Sequence, residues 1–305
     1  KKLFEYDSSQ PLDPTFKVEK ETTYYTKYHV SYASVNNQRV TAFFYVPKAK
    51  IKDYFQSLQG DDKARFEKRI NTLDGPPWPT IFLMHWLQSD KSLADAFAPQ
   101  LCLYGYAVFA IDGVWKGERA KPGRNILEYN PKDTVANIVQ QVIDTRRGVD
   151  YLASRPDIVD MNRLGYFGIS MGSLTGAPAT AVEPRFKAVV LADGAADLAT
   201  IFKKSDLPEF KEEIKKIQET GFTLEQAFEI LLPIDPLIYA PHIAPRPVLL
   251  INGRYDEIFP REAMQALHDA VGSPKKSVWY DSGHILPVNS VIIQMLNWFK
   301  TYLVK

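Results

Sequence analysis

Short runs of apolar residues alternate with longer amphipathic stretches through the middle of the chain. The apolar runs cover residues 80–84, 107–111, 164–167 and 188–191, and each has the length of a buried strand. The stretches between them are long enough for helices with one apolar face. Strands that alternate with helices of this length predict right-handed crossovers and a largely parallel sheet flanked by helices.

The pattern extends this prediction toward both ends. Two alternating runs, 24–33 and 39–46, indicate an antiparallel hairpin whose turn contains Asn36 and Asn37. A second block closes the chain, with a strand at 248–251, a helix at 261–271, a strand at 277–280 and a helix at 291–303.

Two helical segments interrupt this order. Residues 48–76 are charged and carry only a sparse apolar stripe, as expected for a helical surface insertion. Residues 198–245 are too long for a simple crossover. This second insertion leaves the carboxyl end of a strand, where ligands sit in such sheets. It is therefore either a packed helical decoration or a lid over a site.

Two pairs of residues in the second insertion have the spacing of a helix capping box. Asp206 with Glu209 is one pair, and Thr223 with Gln226 is the other. They predict helices over 207–219 and 224–232.

Composition limits the partners of the chain. Charged residues make up 24% of the 305 positions and the formal net charge is +1, so no strong field attracts nucleic acid or an anionic membrane. The longest apolar runs are far shorter than a helix that crosses a bilayer. The single cysteine, Cys102, lies between two leucines and is expected to be a buried thiol. A first residue Lys1 rather than Met fits removal of an export signal, so we expect export, with a cytoplasmic location as the alternative.

The strongest chemical signal is the sequence Gly-Ile-Ser-Met-Gly at residues 168–172. It follows a predicted strand and precedes a segment able to form a helix, which is the setting that a nucleophilic serine on a sharp turn requires. The flanking glycines remove side chains that would clash in so tight a bend. Ser170 is therefore the candidate nucleophile, and a glycine-rich turn whose serine only caps a helix is the alternative.

A serine nucleophile needs a base and an acid that orients the base. Among the five histidines, His284 stands in a glycine-containing loop between the last predicted strand and the terminal helix. It is therefore the candidate base. Asp256, on the loop after the strand at 248–251, is the candidate acid, with Asp193 and Glu257 as alternatives.

The order Ser170, Asp256, His284, each on a loop after a predicted strand, resembles the α/β-hydrolase superfamily. Residues 160–172 and 253–260 resemble its branch of dienelactone hydrolases, acetyl xylan esterases and prolyl-oligopeptidase-like enzymes. The resemblance covers about residues 79–304 and implies an eight-stranded, mostly parallel sheet. We expect one α/β-hydrolase domain over residues 1–305, with the helical insertion after the sixth strand.

The resemblance also implies an oxyanion hole made by two backbone N–H groups. Met171, next after the nucleophile, would supply one of them. The other would come from the loop after residues 80–84, where many members have His-Gly followed by glycine or an apolar residue. This chain has His85, Trp86 and Leu87 there, so Trp86 or Leu87 would supply the second N–H. We expect His85 to brace its own loop.

Two tryptophans are candidate walls of an acyl pocket. Trp86 would stand beside the proposed oxyanion hole, and Trp115 follows the strand at 107–111. The alternative for Trp86 is that its indole packs into the core.

These residues predict two-step acyl transfer, in which His284 takes the proton of Ser170, Asp256 holds the imidazole, and water releases the acid. The sequence has no Cys/His cluster with metal spacing and no G-x-G-x-x-G loop, so we expect no metal and no organic cofactor. The expected protein is a serine carboxylesterase for acetyl or other short acyl esters, on carbohydrate or phenolic material. Its partner would be a small-molecule ester, without nucleic acid or membrane. A prolyl-oligopeptidase-like serine peptidase and a non-catalytic binding protein of this fold are the alternatives.

Overall fold

Nine strands form one sheet in the computed structural model, which describes residues 2–48, 51–67, 75–123, 125–205 and 208–303. The strands are β1 (Thr15–Glu21), β2 (Tyr25–Ala33), β3 (Arg39–Pro47), β4 (Trp78–Met84), β5 (Ala107–Ile111), β6 (Val159–Ile169), β7 (Ala188–Ala192), β8 (Val248–Gly253) and β9 (Lys275–Tyr280). Their order across the sheet is β1-β2-β3-β5-β4-β6-β7-β8-β9. The pairings of β1 with β2, β2 with β3 and β3 with β5 are antiparallel, and the pairings from β5 through β9 are parallel.

The predicted fold class, a mostly parallel sheet flanked by helices, is confirmed, but the described residues form nine strands rather than eight. The additional strand is β1, which pairs with the outer side of β2. Its side chains are mostly exposed, and its only apolar residues, Phe16 and Val18, alternate with charged ones. Charged side chains suit an edge strand because they discourage pairing with another chain. With β1 counted, the long helical insertion follows the seventh strand.

Helices cover the sheet, and together they bury its central strands. They are α1 (Ile51–Ser57), α2 (Gly60–Glu67), α3 (Ala98–Leu103), α4 (Pro131–Ala153), α5 (Met171–Val182), α6 (Leu198–Lys204), α7 (Pro208–Glu219), α8 (Leu224–Leu231), α9 (Pro236–Tyr239), α10 (Arg261–Ala270) and α11 (Val288–Leu303). Every residue of β4, β5 and β7 is buried, as expected for parallel strands covered on both faces. None of the helices described here is long and apolar enough to cross a membrane.

The predicted surface insertion over 48–76 contains α1 and α2, and its residues 49–50 and 68–74 lie outside the described part of the chain. The ring of Phe66 in α2 stacks on Tyr104 at a centroid distance of 4.9 Å. The described part of the insertion is therefore packed on the body of the protein through an aromatic contact.

The insertion predicted over 198–245 contains α6 to α9. The capping box of Thr223 and Gln226 is present at the start of α8, whereas Asp206 and the side chain of Glu209 lie outside the described residues. The ring of Phe202 in α6 packs edge-on against Phe210 of α7 at a centroid distance of 5.2 Å. The ring of Phe228 in α8 lies 6.3 Å from that of Phe202, also between centroids. An aromatic cluster therefore joins the three helices, and motion of this insertion as a lid stays a prediction.

Candidate active site

The turn at Ser170 joins β6 directly to α5. Ser170 has φ 53° and ψ −110°, a backbone conformation that L-residues rarely adopt and that is typical of strained functional turns. Its N–H donates to the carbonyl of Ala192 at the end of β7, at 2.9 Å. The sharp turn is thus fixed to the neighbouring strand, and the serine stands at the carboxyl edge of the sheet.

Glycine is required on both sides of this turn because the backbone passes close to itself. A Cβ at Gly168 would collide with the carbonyl of Gly172, and a Cβ at Gly172 would collide with the carbonyl of Met84. The turn is therefore packed directly against the loop that follows β4.

His284 and Asp256 continue a hydrogen-bond chain from Ser170. The Nε2 atom of His284 lies 2.9 Å from Ser170 Oγ, and its Nδ1 atom lies 2.8 Å from Asp256 Oδ2. The other oxygen of Asp256 accepts the backbone N–H groups of Ile258 and Phe259, both at 2.8 Å. Because the carboxylate accepts at Nδ1, the imidazole carries its proton there and leaves Nε2 free to accept the serine proton.

The three candidates for the orienting acid, Asp256, Glu257 and Asp193, make different contacts in the structure. Asp256 contacts the imidazole, whereas Glu257 accepts the backbone N–H of His284 at 2.9 Å and so holds the loop. Asp193 follows β7 with only 3% of its surface exposed. Burial, and to a smaller extent the charges of Asp256 and Glu257, together raise the pKa of the Asp193 carboxyl to about 9.

Asp193, Asp256 and His284 each offer an oxygen or nitrogen, and these atoms lie within 4.8 Å of one another, a spacing that a metal ion also accepts. We assign Asp256 and His284 to hydrogen bonding, because Asp256 already accepts three N–H groups and the imidazole is used at both nitrogens.

The loop after β4 is held by His85, which is fully buried. Its Nε2 accepts the N–H of Gly113 at 3.0 Å, so the proton sits on Nδ1, which donates to the carbonyl of Trp86 at 2.7 Å. Burial lowers the pKa of His85, in keeping with a neutral ring. His85 thus ties its own loop to the loop after β5 and makes no contact with the serine hydroxyl.

The two candidate wall residues lie in different surroundings. The Trp86 side chain is 38% exposed on the turn after β4. Trp115 is only 2% exposed, and its Nε1–H donates to the carbonyl of Leu87 at 2.9 Å. Little of the Trp115 ring is left to line an open pocket, and its indole instead supports the loop that carries Trp86 and Leu87.

Sequence reasoning missed a second buried brace behind the site. Asn252, the polar residue near the end of β8, donates to the carbonyl of Gly194 at 3.0 Å and accepts from His268 Nε2 at 2.8 Å. Burial lowers the pKa of His268 to about 4, so this histidine is neutral. A polar side chain in an otherwise apolar strand run was the signal in the sequence, since buried amides need partners.

The sheet, the serine turn and the chain of hydrogen bonds from Ser170 to Asp256 are those of an α/β-hydrolase. This chain belongs to the prolyl oligopeptidase family, whose family model matches residues 97–304.

Individual relatives differ in how much of the chain they match. The acetyl xylan esterase from Paenibacillus sp. R4 has a TM-score of 0.76 with 18% identity, over 97% of this chain and 91% of that one. The protein YitV of Bacillus subtilis (strain 168) is 21% identical over 241 residues, which are 74% of this chain and 89% of YitV. The 20-hydroxy-prefusarin hydrolase FUS2 of Gibberella moniliformis is 35% identical over 97 residues, 32% of this chain. That match spans 21% of the length of the fungal protein.

Asp193 predicts a pH dependence of stability. The folded protein keeps the Asp193 proton up to about pH 9, whereas an unfolded aspartate loses it near pH 4. Between these values the folded state binds one more proton, so this carboxyl makes stability fall as pH rises, by about 1.4 kcal/mol per pH unit. Asp193→Asn, which suits the left-handed backbone there (φ 48°), should remove this dependence.

The measurement is the free energy of urea unfolding at pH 5, 6.5 and 8 for the wild type and Asp193→Asn. We expect the unfolding free energy of Asp193→Asn to rise relative to that of the wild type as pH increases. Asp281→Asn, which changes an exposed carboxyl, should show the same pH dependence as the wild type. A difference between Asp193→Asn and the wild type that is constant across this range would contradict the buried, protonated carboxyl.

Proposed function

We propose that the chain is a serine carboxylesterase that hydrolyses short-chain, acetyl-like esters through an acyl-enzyme on Ser170. The observation that carries the proposal is the chain of hydrogen bonds at 2.9 and 2.8 Å from Ser170 through His284 to Asp256. In the proposed reaction His284 takes the serine proton during attack on the ester carbonyl and returns it to the leaving alcohol. Asp256 holds the imidazole and stabilises its cation, and water repeats the sequence to release the acid.

Two backbone N–H groups would bind the oxyanion. The first belongs to Met171, which opens α5 and therefore has no acceptor within the helix. The second is that of Leu87 rather than Trp86, because C=O and N–H point in opposite directions in a trans peptide. The Trp86 carbonyl is turned to the buried His85 ring, so the Leu87 N–H faces away from it.

The same reasoning argues against the Trp86 N–H as the second donor to the oxyanion. The carbonyl of His85 lies close to the backbone of Gly172, where it would contact an added Cβ at 3.0 Å. The Trp86 N–H of that peptide unit therefore points away from the serine turn.

Two observations support the proposed acyl and alcohol groups of the substrate: a solved structure of similar fold and the position of Trp86. The solved structure with a TM-score of 0.76 is that of an acetyl xylan esterase, which supports an acetyl group on a carbohydrate as the substrate, with phenolic esters as a related class. The exposed indole of Trp86 adjoins the proposed Leu87 donor, where it would limit the length of the acyl chain.

Ser170→Ala tests the reaction. On p-nitrophenyl acetate the variant should lose kcat by about 10⁴- to 10⁶-fold, because removal of a serine nucleophile leaves only binding and oxyanion stabilisation. Hydrolysis of the same ester at an undiminished rate by the variant would rule out Ser170 as the nucleophile.

The family match favours a peptidase as the second candidate. The two functions separate when kcat/KM is compared on p-nitrophenyl acetate and on an aminoacyl p-nitroanilide. We expect the ester to be the better substrate, and faster anilide cleavage would replace the esterase proposal with the peptidase.

Trp115→Phe tests the support of the oxyanion loop. The substitution removes the Nε1–H that holds the Leu87 carbonyl, a hydrogen bond worth about 1 kcal/mol, so kcat should fall about fivefold. Trp298→Phe is the matched control, because the buried Nε1 of Trp298 has no hydrogen-bond partner among the described residues. Equal kcat losses in the two variants would argue against a role of the Trp115 hydrogen bond in positioning Leu87.

Trp86→Ala tests the acyl pocket. If the indole limits chain length, the ratio of kcat/KM for p-nitrophenyl butyrate to that for the acetate should rise about tenfold, since a methylene in a hydrophobic pocket is worth 1–3 kcal/mol. An unchanged ratio with a lower melting temperature would show that Trp86 serves packing instead.

A further inference from the structure

We propose that Asp193 is a positioning residue of the Ser170 site, and that its carboxyl and that of Asp256 form a pair holding a single negative charge beside His284. The proposal rests on the esterase function given above. In this pair the negative charge that stabilises the His284 imidazolium stays on Asp256, while Asp193 is neutral.

The backbone holds Asp193 firmly in this place. The residue follows β7 with φ 48°, and its N–H donates to the carbonyl of Ile251 in β8 at 2.8 Å. Its side chain is buried, and Oδ1 has no hydrogen-bond partner among the described residues. A buried polar atom without a partner is costly and calls for an explanation.

Charged and titratable groups reach Asp193 from two loops. Asp256 and Glu257 lie on the loop after β8, and both raise the Asp193 pKa through their charge. His284 lies on the loop after β9, and Asp193, Asp256 and His284 have ligand atoms within 4.8 Å of one another. On α10, which also covers this region, His268 is bound to Asn252 and Ser277 instead.

Hydrogen bonding decides which carboxyl is ionised. Asp256 accepts three N–H groups, from the His284 ring and from two backbone amides, and donors of this kind stabilise a carboxylate. Among the described residues no hydrogen-bond donor reaches Asp193 Oδ1, and burial is the largest cause of the raised pKa of Asp193. Two carboxylates this close in a buried site repel strongly, so the pair carries one charge, on Asp256.

This arrangement has a consequence for the base. The neutral Asp193 keeps the negative charge at Asp256, opposite the Nδ1–H of His284, which fixes one orientation of the imidazole. If Asp256 is made neutral, the larger of the two charge repulsions that raise the Asp193 pKa is removed, while burial and the charge of Glu257 remain. Asp193 then ionises at a lower pH and places a carboxylate within 4.8 Å of the imidazole.

The test compares Asp256→Asn with Asp193→Asn/Asp256→Asn across pH 6 to 9, as kcat/KM on p-nitrophenyl acetate. Both variants lose the Asp256 charge, a loss of about 10⁴-fold in kcat in a serine protease. We expect Asp256→Asn to recover about tenfold as pH rises, relative to the double variant, because Asp193 supplies the missing charge. The double variant is the reference because it lacks both carboxyl groups beside His284.

Asp256→Asn/Glu257→Gln is the matched control for the choice of carboxyl. It removes the other acidic neighbour and should keep the recovery with pH. Two results would overturn the proposal. One is that kcat/KM changes with pH in the same way in Asp256→Asn and in Asp193→Asn/Asp256→Asn. The other is that Asp256→Asn recovers with pH but Asp256→Asn/Glu257→Gln does not.

Asp193→Gly, which also suits the positive φ, replaces Asp193→Asn in the comparison if the asparagine variant does not fold. A wild type without Ser170-dependent ester turnover would instead remove the esterase function, and this proposal with it. That result is distinct from parallel profiles in an active enzyme, which remove only the role of Asp193.

Discussion

The strained turn at Ser170 is the constraint on which the rest of the site depends. A non-glycine residue with φ 53° persists only where its surroundings hold it. Here the hold comes from the hydrogen bond to Ala192 and from the close packing of Gly172 on the loop after β4. The same contacts bring together the serine hydroxyl, the first amide of α5 and the loop that carries Leu87.

The other buried polar groups position this turn and its partners. His85 and His268 are both buried with lowered pKa values. The ring of each forms hydrogen bonds to two separate segments of the chain next to the site. Asp193 is kept protonated beside Asp256, so burial removes charge from three titratable groups around the serine. In the proposed reaction His284 is the group that takes up and returns the proton, because its ring contacts the serine hydroxyl.

The sequence was sufficient for the parts of the structure that local patterns encode. Apolar runs predicted the parallel strands, and the Thr223 capping box predicted the start of α8. β1 was missed, because this exposed, charged edge strand has only two apolar residues, Phe16 and Val18. The choice among Asp193, Asp256 and Glu257 depends on contacts between separate loops, as does the support of Leu87 by Trp115. No spacing along the chain records such contacts.

The most direct test of the central claim is reaction of the folded protein with a fluorophosphonate, followed by peptide mass spectrometry. The account predicts one adduct per chain, located on Ser170, and greatly slowed labelling when His284 is replaced by alanine. Folded protein that stays unlabelled, or an adduct on a different residue such as Ser173, would contradict it.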